Sequence, residues 1–193
     1  MIVLGIDPGT RKLGWGVVER EGNRIRHHAH GVIALDGDRP IAERLVAIER
    51  GVDEVIARFG PEVGSVESLF FNKDAQAAAK LGHARGVVLC CLARAGVAVA
   101  EYAPARVKRT VAGGGQADKR QVALLVRAVL ALPGLPPSDA ADALALAITH
   151  LRIAPFAAQA EAILERAREK ARALRASTRS SVATRRPGRF QLR

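Results

Sequence analysis

The sequence predicts an α/β domain built on a mixed sheet. Two observations carry this reading. Three strand-like runs follow one another within the first 35 residues, and further downstream helical and strand-like runs alternate. Strands joined by a tight turn pair antiparallel, whereas strands separated by a helix pair parallel. The chain should therefore form an antiparallel start joined to parallel crossovers, with helices covering the sheet.

The elements follow in order. "MIVLGI" and "LGWGVVE" read as the first two strands. Asp7-Pro8-Gly9-Thr10 stands between them, and Asp, Pro and Gly are turn formers. "RIRHHAHGVIAL" reads as the third strand. Residues 40–59 place Ile41, Leu45, Ile48, Val52, Val55 and Ile56 at helical spacing. "GSVESLFF" is a short fourth strand ending near Glu67, residues 74–95 are a long Ala- and Leu-rich helix, and "GVAVAEYA" is the fifth strand. "PARVKRTVA" starts a short helix with Pro in its first turn. "GGGQ" interrupts it, "ADKRQVALLVRAVLAL" is the next helix, and "PPSDAADALALAITHL" is the last core helix, with Ser138 placed to cap it. One domain is expected over residues 1–156. Residues 157–193 form a basic C-terminal segment: "AEAILERAREKARALR" reads as a surface helix and "ASTRSSVATRRPGRFQLR" as disordered.

Composition narrows the class. Apolar residues make up 49% and charged residues 25% of 193, as in soluble globular proteins. No run of 18 apolar residues exists, so no membrane partner is expected. The N-terminus lacks a signal peptide's basic region and cleavage site. Cys90 and Cys91 are sequence neighbours, poor partners for a disulfide, and read as buried helix packing. A reduced, cytoplasmic protein is expected. The formal net charge of +11 and pI near 10.9 attract polyanions. Residues 157–193 hold ten Lys/Arg against three Glu, a net of +7, which leaves +4 on the domain.

Four acids stand out. In "DAADALALAI" the only polar side chains are Asp139 and Asp142. A helix apolar nearly all round is a buried helix. Two carboxylates three residues apart share one side of it, and in a poorly solvated site they need a shared proton, a basic partner or a cation. A plainer reading is that acids in a first helical turn complement the helix dipole, which covers Asp139 better than Asp142. Glu67 ends a strand, where α/β proteins place their sites, although a lone Glu also commonly marks a strand's exit into solvent. Asp7 ends another. If these acids converge, the cluster suits Mg²⁺ or Mn²⁺ and two-metal phosphodiester cleavage. One ion would activate the attacking water and the other would stabilise the leaving 3′ oxygen.

"GIDPGTRKLGWGVV", "VESLFFNKDAQAAAKLGHARGV", "YAPARVKRTVAGGGQADKRQV" and "DAADALALAITH" resemble, in order and spacing, the four signature segments of RuvC-type Holliday-junction resolvases. The resemblance covers about residues 1–153. It implies an RNase H-like fold with a five-stranded sheet, a homodimer and paired symmetric nicks in four-way junction DNA, leaving 5′-phosphate and 3′-hydroxyl ends. It puts the metal-binding acids on Asp7, Glu67, Asp139 and Asp142, with two Mg²⁺ per site and Mn²⁺ able to substitute. Some members carry His where this chain has Asp139. Phe70 matches an aromatic implicated in opening junction base pairs, and an exposed ring stacked on a base contributes about 1–3 kcal/mol. Phe71 is a second DNA-facing ring or a core anchor. Lys108 and Lys119 match basic residues near the scissile phosphate. Arg109 and Arg120 would add backbone contacts that position DNA without reading sequence. The RuvA/RuvB branch-migration complex is the partner implied by analogy.

Other signals are weaker. Lys119 and Arg120 also suit a solvated helix start, although a cation there opposes the dipole. Gly113-Gly114-Gly115 reads as a flexible loop. His28 and His30 make too few ligands for a metal site. His83 and Arg85 fall in the long helix, at a dimer face or facing DNA. An Asp–x–Gly–Thr turn also opens the sugar-kinase and actin ATPase fold, which needs a second such turn and a longer chain. A binding module with degenerate acids would bind junctions without cutting, but acids near DNA weaken binding unless a metal neutralises them.

Overall fold

A computed structural model of the chain describes residues 1–68, 75–155, 165, 166 and 168. Met1–Arg152 form one compact unit and Ile153–Arg193 a second. The first unit holds one five-stranded sheet. Its strands are β1 (Ile2–Asp7), β2 (Lys12–Glu21), β3 (Arg24–Ala34), β4 (Val63–Glu67) and β5 (Ala98–Tyr102), in the spatial order β3-β2-β1-β4-β5. β1, β2 and β3 pair antiparallel, and β4 pairs parallel with both β1 and β5. This is the mixed sheet expected from the element order.

Helices α1 (Ile41–Phe59) and α2 (Ala75–Arg94) make the crossovers into β4 and β5. α3 (Pro104–Ala112) and α4 (Lys119–Val129) follow, and α5 runs over residues 138–155. The pleat sends alternate side chains to opposite faces. On one face Leu4, Ile6, Leu13, Val17 and Val66 pack against Ile48 and Val52 of α1 and Val88 and Leu92 of α2. Full burial of each such side chain contributes about 1.5–3 kcal/mol.

The other face receives α5 and is built differently. A Cβ at Gly5 would overlap the Ala143 carbonyl, and one at Gly14 would overlap the Asp139 carbonyl. Ala140, Ala143 and Ala147 are fully buried along the helix. Small residues on both partners bring the α5 backbone directly onto β1 and β2. Ser65, buried in β4, donates its hydroxyl to Leu146 O at 2.8 Å and pins the helix to a third strand. Gly5→Ala or Gly14→Ala would push α5 off the sheet.

Asp7 is the last residue of β1, paired with Gly14, as expected of an acid at a strand end, and the pleat sets its direction. Two local expectations change. Ala141 N–H bonds Pro137 O, which makes Pro137 the residue preceding the first helical turn and moves Ser138 inside α5. Cys91 is buried, but Cys90 is exposed on α2, so only one of the pair packs the core. Of the expected surface helix, Glu165, Arg166 and Arg168 are helical, with an Arg168–Glu165 ion pair at 3.4 Å. Residues 176–193 lie outside the described residues. No helix among the described residues is long and apolar enough to cross a membrane.

Candidate active site

The parity of the strands brings the acids together. Ile6 and Val66 are neighbours in the parallel β1–β4 pair, so Asp7 and Glu67 end adjacent strands one step further along. Adjacent strands lie about 4.7–4.9 Å apart. Both acids share pleat parity with Gly5 and Ser65, the residues that meet α5, so both face that helix. Asp7 pairs with Gly14, and Gly14 abuts the Asp139 backbone. The first turn of α5 therefore lies beside the end of β1, and Asp142 follows one turn on.

A cleft of about 310 Å³ opens at this point, lined by Asp7, Glu67, Lys108, Lys119 and Asp142, with Pro104, Val107 and Val122 as an apolar wall. Asp139 stands outside this lining, but its charge still reaches Asp7. Lys119 Nζ lies 3.1 Å from Asp142 Oδ2.

The electrostatics are unbalanced. Burial, followed by the negative charges of Glu67 and Asp142, pushes the Asp7 carboxyl up to about 7; Lys119 opposes this and Asp139 adds to it. Burial and Asp142 also raise Glu67, against Lys119 and Lys108. The hydrogen bond to Asp142 and its charge raise Lys119. Such a set of oxygen donors with excess negative charge fits a hard divalent cation. The acids ring a cleft instead of closing a cage: among the described residues, no three His, Cys, Asp or Glu side chains form a group tight enough to hold an ion alone. An ion here would complete its shell with water or phosphate oxygens, as Mg²⁺ commonly does.

The other expected residues are distributed as follows. Lys108 is half-buried on α3, and Arg109 and Arg120 are exposed nearby in sequence. None of the three forms an ion pair among the described residues. Phe70 and Phe71 lie outside the described residues. Arg85 does not face outward: its side chain is 14% exposed and pairs with Glu101 of β5. Residues 83 and 85 are about 200° apart around a helix, so they cannot share a surface. His27 and His30 bond each other at 2.8 Å, and His28 bonds Glu19 at 2.8 Å.

Sequence reasoning missed the device that aims Lys119. Asp118 accepts from Gln121 N–H at 2.8 Å, and Gln121 Oε1 accepts from Asp118 N–H at 3.0 Å. This capping box starts α4 at Lys119, and its D-x-x-Q signature was legible. The Ser65 link to α5 had no such local signal.

Carboxylates at the ends of β1 and β4, facing a buried helix that brings two more, define an RNase H-like nuclease fold with its acidic cluster. The model of the crossover junction endodeoxyribonuclease RuvC family matches residues 3–150. RuvC of Sorangium cellulosum is 61% identical over 158 residues, covering 82% of this chain and 88% of that protein. T. thermophilus RuvC in complex with a Holliday junction substrate superposes with a TM-score of 0.77 at 43% identity, covering 81% of this chain and 96% of that one. The yeast mitochondrial Holliday junction resolvase Ydc2 shares the fold at a TM-score of 0.55 and 12% identity, covering 78% of each chain. The chain belongs to the RuvC family of crossover junction endodeoxyribonucleases.

Proposed function

We propose that this chain is a Holliday-junction-resolving endonuclease that makes paired symmetric nicks by metal-dependent hydrolysis, leaving 5′-phosphate and 3′-hydroxyl ends. One observation carries the chemistry. Acids from three distant parts of the chain meet in one cleft, and their charge is only partly offset by Lys119 and Lys108.

Asp7, Glu67, Asp142 and Asp139 serve as oxygen donors, the first three of them lining the cleft. When bound, two Mg²⁺ or Mn²⁺ ions would supply activation of the attacking water and neutralisation of charge at the leaving oxygen. Asp7, raised to about 7 by burial and then by its acidic neighbours, gains most from a cation that lets it ionise. Lys119, on an exposed stem, exchanges Asp142 for the scissile phosphate. Lys108, which lines the same cleft, is a second cation for that phosphate. Arg109 and Arg120 hold flanking phosphates and set register without reading bases. Phe70 wedges between junction bases, and Phe71 is a second DNA-binding residue. Phe70→Ala should then slow cutting of intact junctions more than of pre-opened ones, measured under single turnover.

Two copies supply two clefts for the paired nicks, and a RuvA/RuvB motor is the partner that would deliver branch points. The working compartment is the cytoplasm. The test is incubation of a synthetic four-way junction with the purified protein, with Mg²⁺ or with EDTA. Symmetric nicks that require Mg²⁺ are expected. Junction binding without Mg²⁺-dependent cutting would overturn the reading.

A further inference from the structure

Both strand-end acids sit where the ladder stops, and each is steadied from the far side of the sheet. Arg85 of α2 donates its Nε–H to Glu67 O at 3.3 Å, while its Nη2 pairs with Glu101. Glu101 lies in register with Val66, so this one guanidinium ties the ends of β4 and β5 together. Arg44 of α1 donates from Nη1 to Thr10 O at 2.9 Å, in the turn that follows Asp7. Both helices pack on the face opposite α5. Each therefore sends one arginine to the ends of the strands, Arg85 to the carbonyl of Glu67 itself and Arg44 to the turn three residues beyond Asp7.

We infer that Arg85 and Arg44 are positioning residues for the Glu67 and Asp7 carboxylates, acting through the main chain; this rests on the nuclease reading above. Three features separate this role from plain packing or DNA contact. Arg85 is 14% exposed, too buried to hold a phosphate. Arg44 Nε is buried without a hydrogen-bond partner. Burying a guanidinium with an unmatched donor is a poor way to gain stability. Neither arginine bonds the carboxylate it serves, so the effect must travel through the carbonyl each one holds. A catalytic or ligand set has to be held to within about 0.5 Å by the groups behind it, and losing such a support typically costs roughly 10–100-fold in metal affinity or activity.

The test uses the full chain with Arg85→Met, Arg44→Met and the conservative Arg85→Lys. Four measurements are made: melting temperature, four-way-junction affinity in Ca²⁺, Mn²⁺ affinity of the DNA-free protein, and single-turnover cleavage. Both Met variants should lose roughly 10–100-fold in Mn²⁺ affinity and cleavage rate with junction affinity unchanged, and Arg85→Lys should recover part of the loss. Amide exchange at Ser68, whose N–H bonds Tyr102 O at 3.0 Å, should quicken in Arg85→Met. Wild-type Mn²⁺ affinity and rate in a folded Met variant would overturn the assignment, as would a parallel loss of junction affinity. Should Arg85→Met fail to fold, Arg85→Lys and Glu101→Gln read the same contact, and wild-type values in both would overturn it. If the wild type cuts no junction, the nuclease reading fails, while Ser68 exchange and Mn²⁺ affinity still decide the positioning role.

Discussion

The acidic cleft and the histidine group on β2–β3 are both clusters of potential metal ligands, and they settle their charge in opposite ways. In the cleft, Asp7 and Glu67 crowd each other and Asp142, and burial raises both. On β3, burial lowers His27 and His30, so the two rings bond each other at 2.8 Å as neutral partners, one donating and one accepting. His28 finds a carboxylate in Glu19. The histidines are satisfied from within, whereas the acids hold an excess of one sign. A cluster of ligand-type residues points to an external ion when its own partners cannot balance it.

The most severe way to break this contrast is to neutralise one acid. Asp7→Asn should lower single-turnover cleavage by on the order of 10³-fold or more, the scale on which single members of a catalytic set act. Junction binding should persist, since a carboxylate contributes no attraction of its own to a phosphate. His27→Gln with His30→Gln should leave the cleavage rate at the wild-type level. A binding loss that matches the cleavage loss in Asp7→Asn would count against its ligand role.

Lys119 gives the next effect. Lys119→Gln should slow cleavage roughly 10²–10³-fold, as expected when a positioned charge at the proposed site of the reacting phosphate is lost. Stability should change by less than about 1 kcal/mol, because the lysine side chain is 76% exposed. Quench-flow rates and thermal melts check the two halves separately.

The two clusters should also tilt stability against pH in opposite directions in the metal-free protein. Asp7 titrates near 7 in the fold and near its ordinary 3.8 when unfolded. Between those values the folded state holds more protons, so stability falls as pH rises. His27 and His30 titrate below 6.5 in the fold, so the unfolded state holds more protons there and stability falls as pH drops below 6.5. The two windows overlap below 6.5, so melting temperature against pH in chelator separates them through the variants. Asp7→Asn should reduce the fall in stability as pH rises from 3.8 to about 7, leaving the share carried by Glu67, and the double histidine variant should reduce the fall as pH drops below 6.5.

The smallest effect on chemistry is expected from the basic C-terminal segment. Deleting residues 157–193 removes ten of the 30 Lys/Arg. Junction affinity should fall and its salt dependence should become shallower, since counterion release scales with phosphate contacts. Mg²⁺-dependent nicking should remain. Loss of nicking in the truncated chain would give the segment a catalytic role.

Much of this molecule was legible from local pattern. The strand and helix order followed from periodicity, and the low polarity of residues 139–148 marked α5 as buried before any contact was known. The four acids stood out because each sat where a charge was hard to place. The Asp118-x-x-Gln121 cap was equally readable and went unread. These signals are local because they depend on residues within one or two turns or one strand.

What tertiary structure alone decided is who meets whom. Asp7 and Glu67 face α5 because both strand register and pleat parity point them there, and a one-residue slip would reverse them. Gly5 and Gly14 looked like ordinary strand residues until the α5 backbone lay on them. Lys119 met Asp142, 23 positions away, and Arg85 turned inward to the end of β4 instead of outward to a partner or DNA. Such contacts depend on how layers stack and cross. No periodicity within an element encodes that, because the same helix face could have met either side of the sheet.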